Sequence, residues 1–376
     1  MEKTKEGMVT KNLQKVLEAY GVEKRVLSAE SYGNGHINDT VLVLLSGKDG
    51  MESTPEKMII QRINTSIFKD PVQLMQNIAQ VTDWIREKVC LEGGNAGREV
   101  LQIVPTLTGQ LCYQSETGEF YRAYIYVENG ICLEKPRSAE DLFESGVAFG
   151  KFQGYLADFP AKSLVETIPD FHNTLKRLEA FKNAVKEDVC GLADAVKAEI
   201  EYALSMEEMV QQCAEYKKKL PLRVTHNDTK LNNAMLDAVT QKALCVLDLD
   251  TVMPGFAMDD FGDAIRFGAS TALEDESDLS KVFCDLDMFQ AFAKGFLRGT
   301  GGRLTEEEIL LFPLGAKIMT YECGIRFLMD YLQGNIYFKV AFPEHNLVRA
   351  RNQFALLKDM NRKTEEMNRI IKDCLE

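Results

Sequence analysis

The sequence has little of what would mark a specialised class. It contains one tryptophan, four histidines and ten prolines in 376 residues, and no cysteine pair has the spacing of a metal finger or redox motif. Its nine cysteines (Cys90, Cys112, Cys132, Cys190, Cys213, Cys245, Cys284, Cys323 and Cys374) are scattered through mostly apolar surroundings, which predicts reduced, buried side chains. Lys and Arg number 44 against 57 Asp and Glu, a net charge of -13. A surface that grips nucleic-acid phosphates needs the opposite balance. No stretch approaches the roughly 18 apolar residues of a membrane helix, and residues 1–11 lack the apolar run of a signal peptide. The expectation is a cytoplasmic protein, monomeric or a small homo-oligomer, with neither nucleic acid nor membrane as partner.

The length exceeds what one hydrophobic core usually serves and predicts two domains. After a short helix around residues 12–19, the first third reads as β-rich. A Gly/Asn-rich loop, Ser31 to Asp39, separates a first strand from Thr40 to Leu45, with another strand at Lys57 to Ile63. A helix then starts at Asp70-Pro71 and runs to Val89. Leu101 to Thr106 and Gln110 to Tyr113 bracket the turn residue Gly109, and Tyr121 to Val127 forms a further strand. The domain boundary is expected there, dividing 1–127 from 128–376.

Beyond it the pattern turns helical, at Leu142 to Leu156, His172 to Val185, Leu192 to about Tyr216, and one long helix near the end. Leu347, Ala350, Phe354, Leu357, Met360, Met367, Ile371 and Cys374 form an apolar stripe on that last helix, which is read as core. Lys217-Lys-Lys219 reads as a solvated helix end.

Short strand-like pieces interrupt the helices between Leu220 and Leu247, and they frame the chemistry. Val224-Thr-His226-Asn-Asp228-Thr-Lys230-Leu-Asn-Asn233 precedes Ala234 to Leu236, a polar turn, and Ala243 to Asp248. Phosphoryl transfer needs a carboxylate to receive the acceptor's proton, a cation on the moving group, and oxygen ligands for Mg2+. Asp228 and Asn233 have the spacing of a kinase base and metal-binding Asn, and Asp248 ends a hairpin as the second metal ligand does. Lys230 supplies the cation. As turn residues alone these would carry little; their conjunction after a β-rich region points to catalysis.

This loop, with Val246-Leu-Asp-Leu-Asp250 and Asp260, resembles the aminoglycoside phosphotransferase and choline kinase-like families. Within them, the resemblance is to the N-acetylhexosamine 1-kinases. It is carried by Gly33-Asn-Gly-His-Ile-Asn38, Gln61-Arg-Ile-Asn64, His226 to Asn233, Val246 to Gly255, Asp260-Phe-Gly-Asp-Ala-Ile-Arg-Phe267 and Gly324-Ile-Arg-Phe-Leu328. The resemblance implies an α+β, two-lobed protein-kinase-like fold with a β-rich N-lobe and a mainly helical C-lobe. It implies ATP between the lobes, with adenine against Tyr126 to Asn129, and Mg2+ on Asn233 and Asp248. Asp228 would be the base, Lys230 would assist the phosphoryl group, and Asp260 would brace the loop. The reaction implied is transfer from ATP to the anomeric hydroxyl of an N-acetylhexosamine, with His36, Arg326 and Tyr337 on the sugar.

The chain departs from the broader kinase pattern in the strand that usually bears a phosphate-pairing Lys. That strand reads Met58-Ile-Ile-Gln61-Arg62-Ile63, and Asn77 stands in the next helix where a Glu is usual. Arg62 is the first candidate for the phosphate contact and Gln61 the second; Gly33 and Gly35 are candidates for the loop over the phosphates. The rival readings are a kinase of choline, homoserine or an aminoglycoside, and a silent nucleotide-binding pseudokinase.

Overall fold

The computed structural model describes residues 13–33, 37–47 and 55–376. Contacts divide the chain into two compact units, Met1–Asn129 and Gly130–Glu376. In the first, β1 (Val26–Ser31), β2 (Asp39–Leu45), β3 (Glu56–Ile63), β4 (Ile103–Val104), β5 (Tyr113–Gln114) and β6 (Phe120–Ile125) make one antiparallel sheet. Its order is β1-β2-β3-β6-β4, with β5 also on β6. The stretch around Gly109 therefore forms no hairpin of its own; its two flanking strands each shorten to two residues that pair with β6.

Each face of this sheet carries a helix. A helical segment over residues 13–19 (α1) places Leu13, Val16 and Leu17 against Val43, Leu45, Ile60 and Ala123. On the opposite face lies α2 (Pro71–Leu91), whose Met75 sulfur is 3.9 Å from Arg122 Nη1. Pro71 suits its first turn, and the Asp70 side chain caps it by accepting from Gln73 N–H at 3.0 Å. The short α3 (Ala96–Glu99) follows.

The second unit holds α4 (Ala139–Tyr155), α5 (Thr174–Glu187), α6 (Lys197–Ser205), α7 (Glu207–Lys217), α8 (Ala257–Gly268), α9 (Leu286–Thr300), α10 (Glu306–Leu310), α11 (Phe312–Leu332), α12 (His345–Arg362) and α13 (Thr364–Asp373). Glycines let α4 and α9 approach closely. A Cβ on Gly150 of α4 would sit 2.1 Å from Phe296 O, and one on Gly295 of α9 would sit 2.0 Å from Phe143 O. Beneath them Phe261 stacks on Phe312 with ring centroids 4.2 Å apart, amid Phe289, Phe292 and Phe296. Among these helices β7 (Gly130–Cys132), β9 (Ala234–Asp237) and β10 (Ala243–Val246) form one small sheet, and β8 (Arg223–Thr225) pairs with β11 (Met253–Gly255).

Several expectations are corrected. The helix expected from Leu192 to Tyr216 breaks at Met206, where the backbone leaves helical geometry and Ser205 Oγ donates to Tyr202 C=O. The last helix breaks at Lys363, whose ammonium donates to Cys284 C=O at 2.7 Å and pairs with Asp359. Its apolar stripe is core across the break, with Phe354, Leu357, Met360 and Met367 all buried. Lys217 is no solvated end: its side chain is only 14% exposed and its ammonium lies 2.8 Å from Asp259. All nine cysteines are free, but only Cys213, Cys245 and Cys284 are buried. Among the described residues no helix is long and apolar enough to cross a membrane.

Candidate active site

The loop between β8 and β9 is held from behind by a buried carboxylate. Asp260, in the first turn of α8, accepts the backbone N–H of His226 at 2.9 Å and of Asn227 at 2.7 Å, one on each oxygen. Gln153 of α4 adds a third bond at 2.7 Å, and Thr229 Oγ1 donates to the Asp260 carbonyl at 2.6 Å. Burial pushes the Asp260 carboxyl above its ordinary range, against the opposing pull of the backbone N–H groups of His226 and Asn227 and of the Gln153 amide. Asp263, one turn on, accepts Thr229 N–H at 3.0 Å, while Arg266 keeps its carboxyl low in spite of burial. The strand entering the loop is fixed by Arg223, which grips Glu308 at 2.7 and 2.9 Å.

Two residues of the site adopt left-handed backbone, Asn227 at φ 63° and Asp248 at φ 55°. Such conformations cost energy in residues other than glycine and persist only where neighbours hold them. For Asn227 the holder is its own amide, which donates to Thr251 C=O at 2.8 Å, while Thr251 Oγ1 donates to His226 C=O at 2.6 Å. His226 Nε2 lies 2.8 Å from Leu247 C=O and its Nδ1 accepts Asp228 N–H at 3.3 Å, so the ring is neutral with its proton on Nε2. The histidine is thus a fastener between the loop and the hairpin, walled by Phe149 and Phe152.

Asp228, Lys230 and Asn233 come together on this frame. Lys230 Nζ lies 2.8 Å from Asp228 Oδ1, and Asn233 Nδ2 donates to the Asp228 carbonyl at 2.8 Å and to Oδ2 at 3.1 Å. Burial works against the Lys230 charge but Asp228 outweighs it, raising the ammonium's pKa. With its nitrogen committed, Asn233 keeps its amide oxygen for another partner. Leu247 N–H donates to Asn233 C=O at 2.8 Å, which sets Asp248 beside Asn233 at the end of the hairpin. These hard oxygens fit Mg2+. Among the described residues no three carboxylate, His or Cys side chains could hold a metal by themselves, so water or ligand oxygens would have to complete the ion's shell.

A second group lies on α11. Arg326 has its guanidinium 5.9 Å from the Phe171 and Tyr337 ring centroids and 5.4 Å from Phe338. Tyr337 is 63% exposed and is therefore no core aromatic. One turn before Arg326, the buried Glu322 accepts Thr174 Oγ1 at 2.6 Å and His172 Nδ1 at 2.9 Å, with Arg177 at 3.4 Å. Burial would raise the Glu322 carboxyl, yet His172, Arg177 and Arg326 bring it down to about 2. Neither Glu322 nor His172 is part of a recognisable motif. The available signal was a Glu four residues before Arg326 on the same helix. A cavity of about 280 Å³ lies behind the loop, lined by His172, Thr174, Lys217, Asn227, Phe256 and Asp259 among others, but not by Asp228 or Lys230.

Residues 28–300 match the phosphotransferase enzyme family, APH. The chain belongs to that family. Its fold is the two-lobed, kinase-like α+β fold, shared with solved structures at low sequence identity. The GDP complex of aminoglycoside 2'-phosphotransferase-IIIa is 14% identical, with 92% of this chain and 98% of that chain covered and a TM-score of 0.56. An aminoglycoside phosphotransferase from Alicyclobacillus acidocaldarius is 12% identical over 94% and 96%, with a TM-score of 0.57. A choline kinase from Cryptosporidium parvum is 15% identical over the whole of both chains, with a TM-score of 0.52.

In this phosphotransferase the remaining expected residues fare unevenly. Arg62 bonds Asp39 at 2.9 Å through Nε and Glu119 at 3.1 Å through Nη1. It pairs across the sheet with Tyr121, on the face that packs against α1. Neighbouring strand residues point to opposite faces, so Gln61 and its cross-strand partner Arg122 share the α2 face instead. There the fully buried Arg122 donates to Gln61 Oε1 at 2.9 Å, and Gln61 donates to Thr40 at 2.8 Å. Arg62 thus lies on the α1 face, and the strand cation on the α2 face is Arg122, which the sequence reading did not consider. Gly33 has φ 76°, a turn conformation that glycine adopts without strain. Gly35 and His36 lie outside the described residues.

Proposed function

We propose that this phosphotransferase is an ATP-dependent small-molecule kinase that phosphorylates the anomeric hydroxyl of an N-acetylhexosamine, GalNAc or GlcNAc. The kinase reading is carried by one observation: the Asp228 carboxylate stands between Lys230 and Asn233 on a loop braced by a buried Asp260. The acceptor oxygen attacks the γ-phosphorus, its proton passes to Asp228, and the bond to the β,γ-bridging oxygen breaks to release ADP. Lys230 moves its charge toward the transferring group as the acceptor hydroxyl takes its place beside Asp228. Mg2+ on Asn233 and Asp248 would neutralise phosphate charge.

Arg326 supports a neutral, polyhydroxy acceptor. Three aromatic rings surround its guanidinium, and among the described residues it donates no hydrogen bond, leaving its donors for hydroxyl or N-acetyl oxygens. A cationic acceptor of the choline type would seek such a ring cluster, but here a protein cation already fills it. The test is formation of sugar 1-phosphate from ATP with GalNAc, GlcNAc, galactose and glucose, against choline, homoserine and an aminoglycoside. Turnover of choline, homoserine or the aminoglycoside alone would overturn the sugar assignment, and no turnover of any acceptor would favour a silent nucleotide binder.

A further inference from the structure

The peptide unit that leads into Asp228 is held at both ends by histidines. Its N–H, from Asp228, donates to His226 Nδ1 at 3.3 Å. Its C=O, from Asn227, lies 3.2 Å from His172 Nε2. The other ring nitrogen of His172 lies 2.9 Å from Glu322 Oε1, on the helix that carries Arg326. We propose that His172 is a positioning residue which, as an imidazolium, fastens the Arg326 helix to the peptide before the catalytic base. This rests on the reading of Asp228 and Arg326 given above.

The charge follows from the partners. A backbone carbonyl only accepts, and Glu322, held down at about 2, has no proton to give at neutral pH. Both nitrogens of His172 therefore donate, which a neutral imidazole cannot do. Burial favours the neutral ring, but Glu322, with Asp259 and Asp263 of α8, outweighs it and raises the pKa above the ordinary 6.5. The cations facing the same pocket are Arg177 of α5, Arg326 of α11 and Lys217 of α7, the last 3.5 Å from the His172 carbonyl. The Phe171 ring completes the wall, 4.6 Å from the imidazole. His226, by contrast, has one acceptor and one donor as partners and stays neutral.

Loss of one proton would turn one of the two bonds of His172 into a contact between acceptors. The peptide at Asn227, already in a left-handed conformation, would lose one of its two holds and Asp228 its aim. The ring stays charged in the folded protein up to its raised pKa; its contribution to stability is complete below the unfolded value and disappears as pH rises through the raised folded value. Activity should therefore fall on the alkaline side, in kcat, with KM for ATP unchanged.

The test uses the 376-residue chain, 15N-labelled at its four histidines. The His172 ring signals, identified by their loss in His172→Gln, should show both nitrogens protonated at pH 7 and titrate above 6.5. Glu322→Gln should move that titration down. In wild type the alkaline fall in kcat should track the NMR titration; in His172→Gln kcat should be at least tenfold lower and that fall absent. A neutral His172 ring at pH 7, or a folded His172→Gln enzyme with wild-type kcat and alkaline limb, would overturn the proposal. An inactive wild type would refute the kinase reading instead, and the NMR result would still decide the charge of His172.

Discussion

Lys230 and Asn233 converge on the two carboxylate oxygens of Asp228, at 2.8 Å from Oδ1 and 3.1 Å from Oδ2. Neither neighbour takes the proton of an attacking hydroxyl, so Asp228 is the one group in this trio able to act as base. Asp228→Asn should lower kcat by about 100- to 10,000-fold while leaving ATP affinity nearly intact. A variant with half of the wild-type kcat would remove Asp228 from that role.

The brace behind the loop is open to a separate test. Asp260→Asn keeps the shape but turns one oxygen into a donor that faces a buried backbone N–H, a mismatch that costs about 1–3 kcal/mol. The expected result is a lower melting temperature together with a kcat loss of about tenfold or more. Unchanged stability and activity would show that the two bonds from His226 and Asn227 do not set the loop.

For the metal, Asp248→Ala should be inactive even at saturating Mg2+, and EDTA should abolish wild-type turnover. A wild-type rate that survives complete chelation would rule out the roles given to Asn233 and Asp248.

Arg326→Ala should reduce kcat/KM for the sugar by about 10- to 100-fold, the equivalent of about 1.5–3 kcal/mol for a charged hydrogen bond. Because Arg326 donates no hydrogen bond among the described residues, KM for ATP should hardly change, and the loss of its ring contacts and of its charge near Glu322 should lower the melting temperature only modestly. A drop in stability with parallel damage to both substrates would mark it as a structural arginine.

Glu322 predicts an acid-side effect. Its carboxyl sits well below its ordinary 4.5, at about 2, so its contribution to stability is complete above pH 4.5 and is lost as pH falls toward 2. The stability gap between wild type and Glu322→Gln should therefore be wide at neutral pH and close between pH 4.5 and 2, as followed by thermal melting across that range. A gap that stays constant would mean that Glu322 titrates normally.

The sequence by itself determined the β-rich first part, several of the helices and the reacting loop, because these are written in local order. A short apolar run marks β3 and a period-3.6 apolar pattern marks α2, Asp70-Pro71 marks a helix start, and the spacing of Asp228 to Asn233 marks the loop. The tertiary structure decided what depends on partners distant in the chain. Strand pairing put Arg62 on one face of the sheet and Gln61 with Arg122 on the other. Packing buried Lys217 against Asp259, 42 residues away. It also brought Glu322 to His172 across 150 residues, and His172 to Asn227 across 55. A histidine's charge depends on which atoms face its two nitrogens, and those atoms are chosen by the fold.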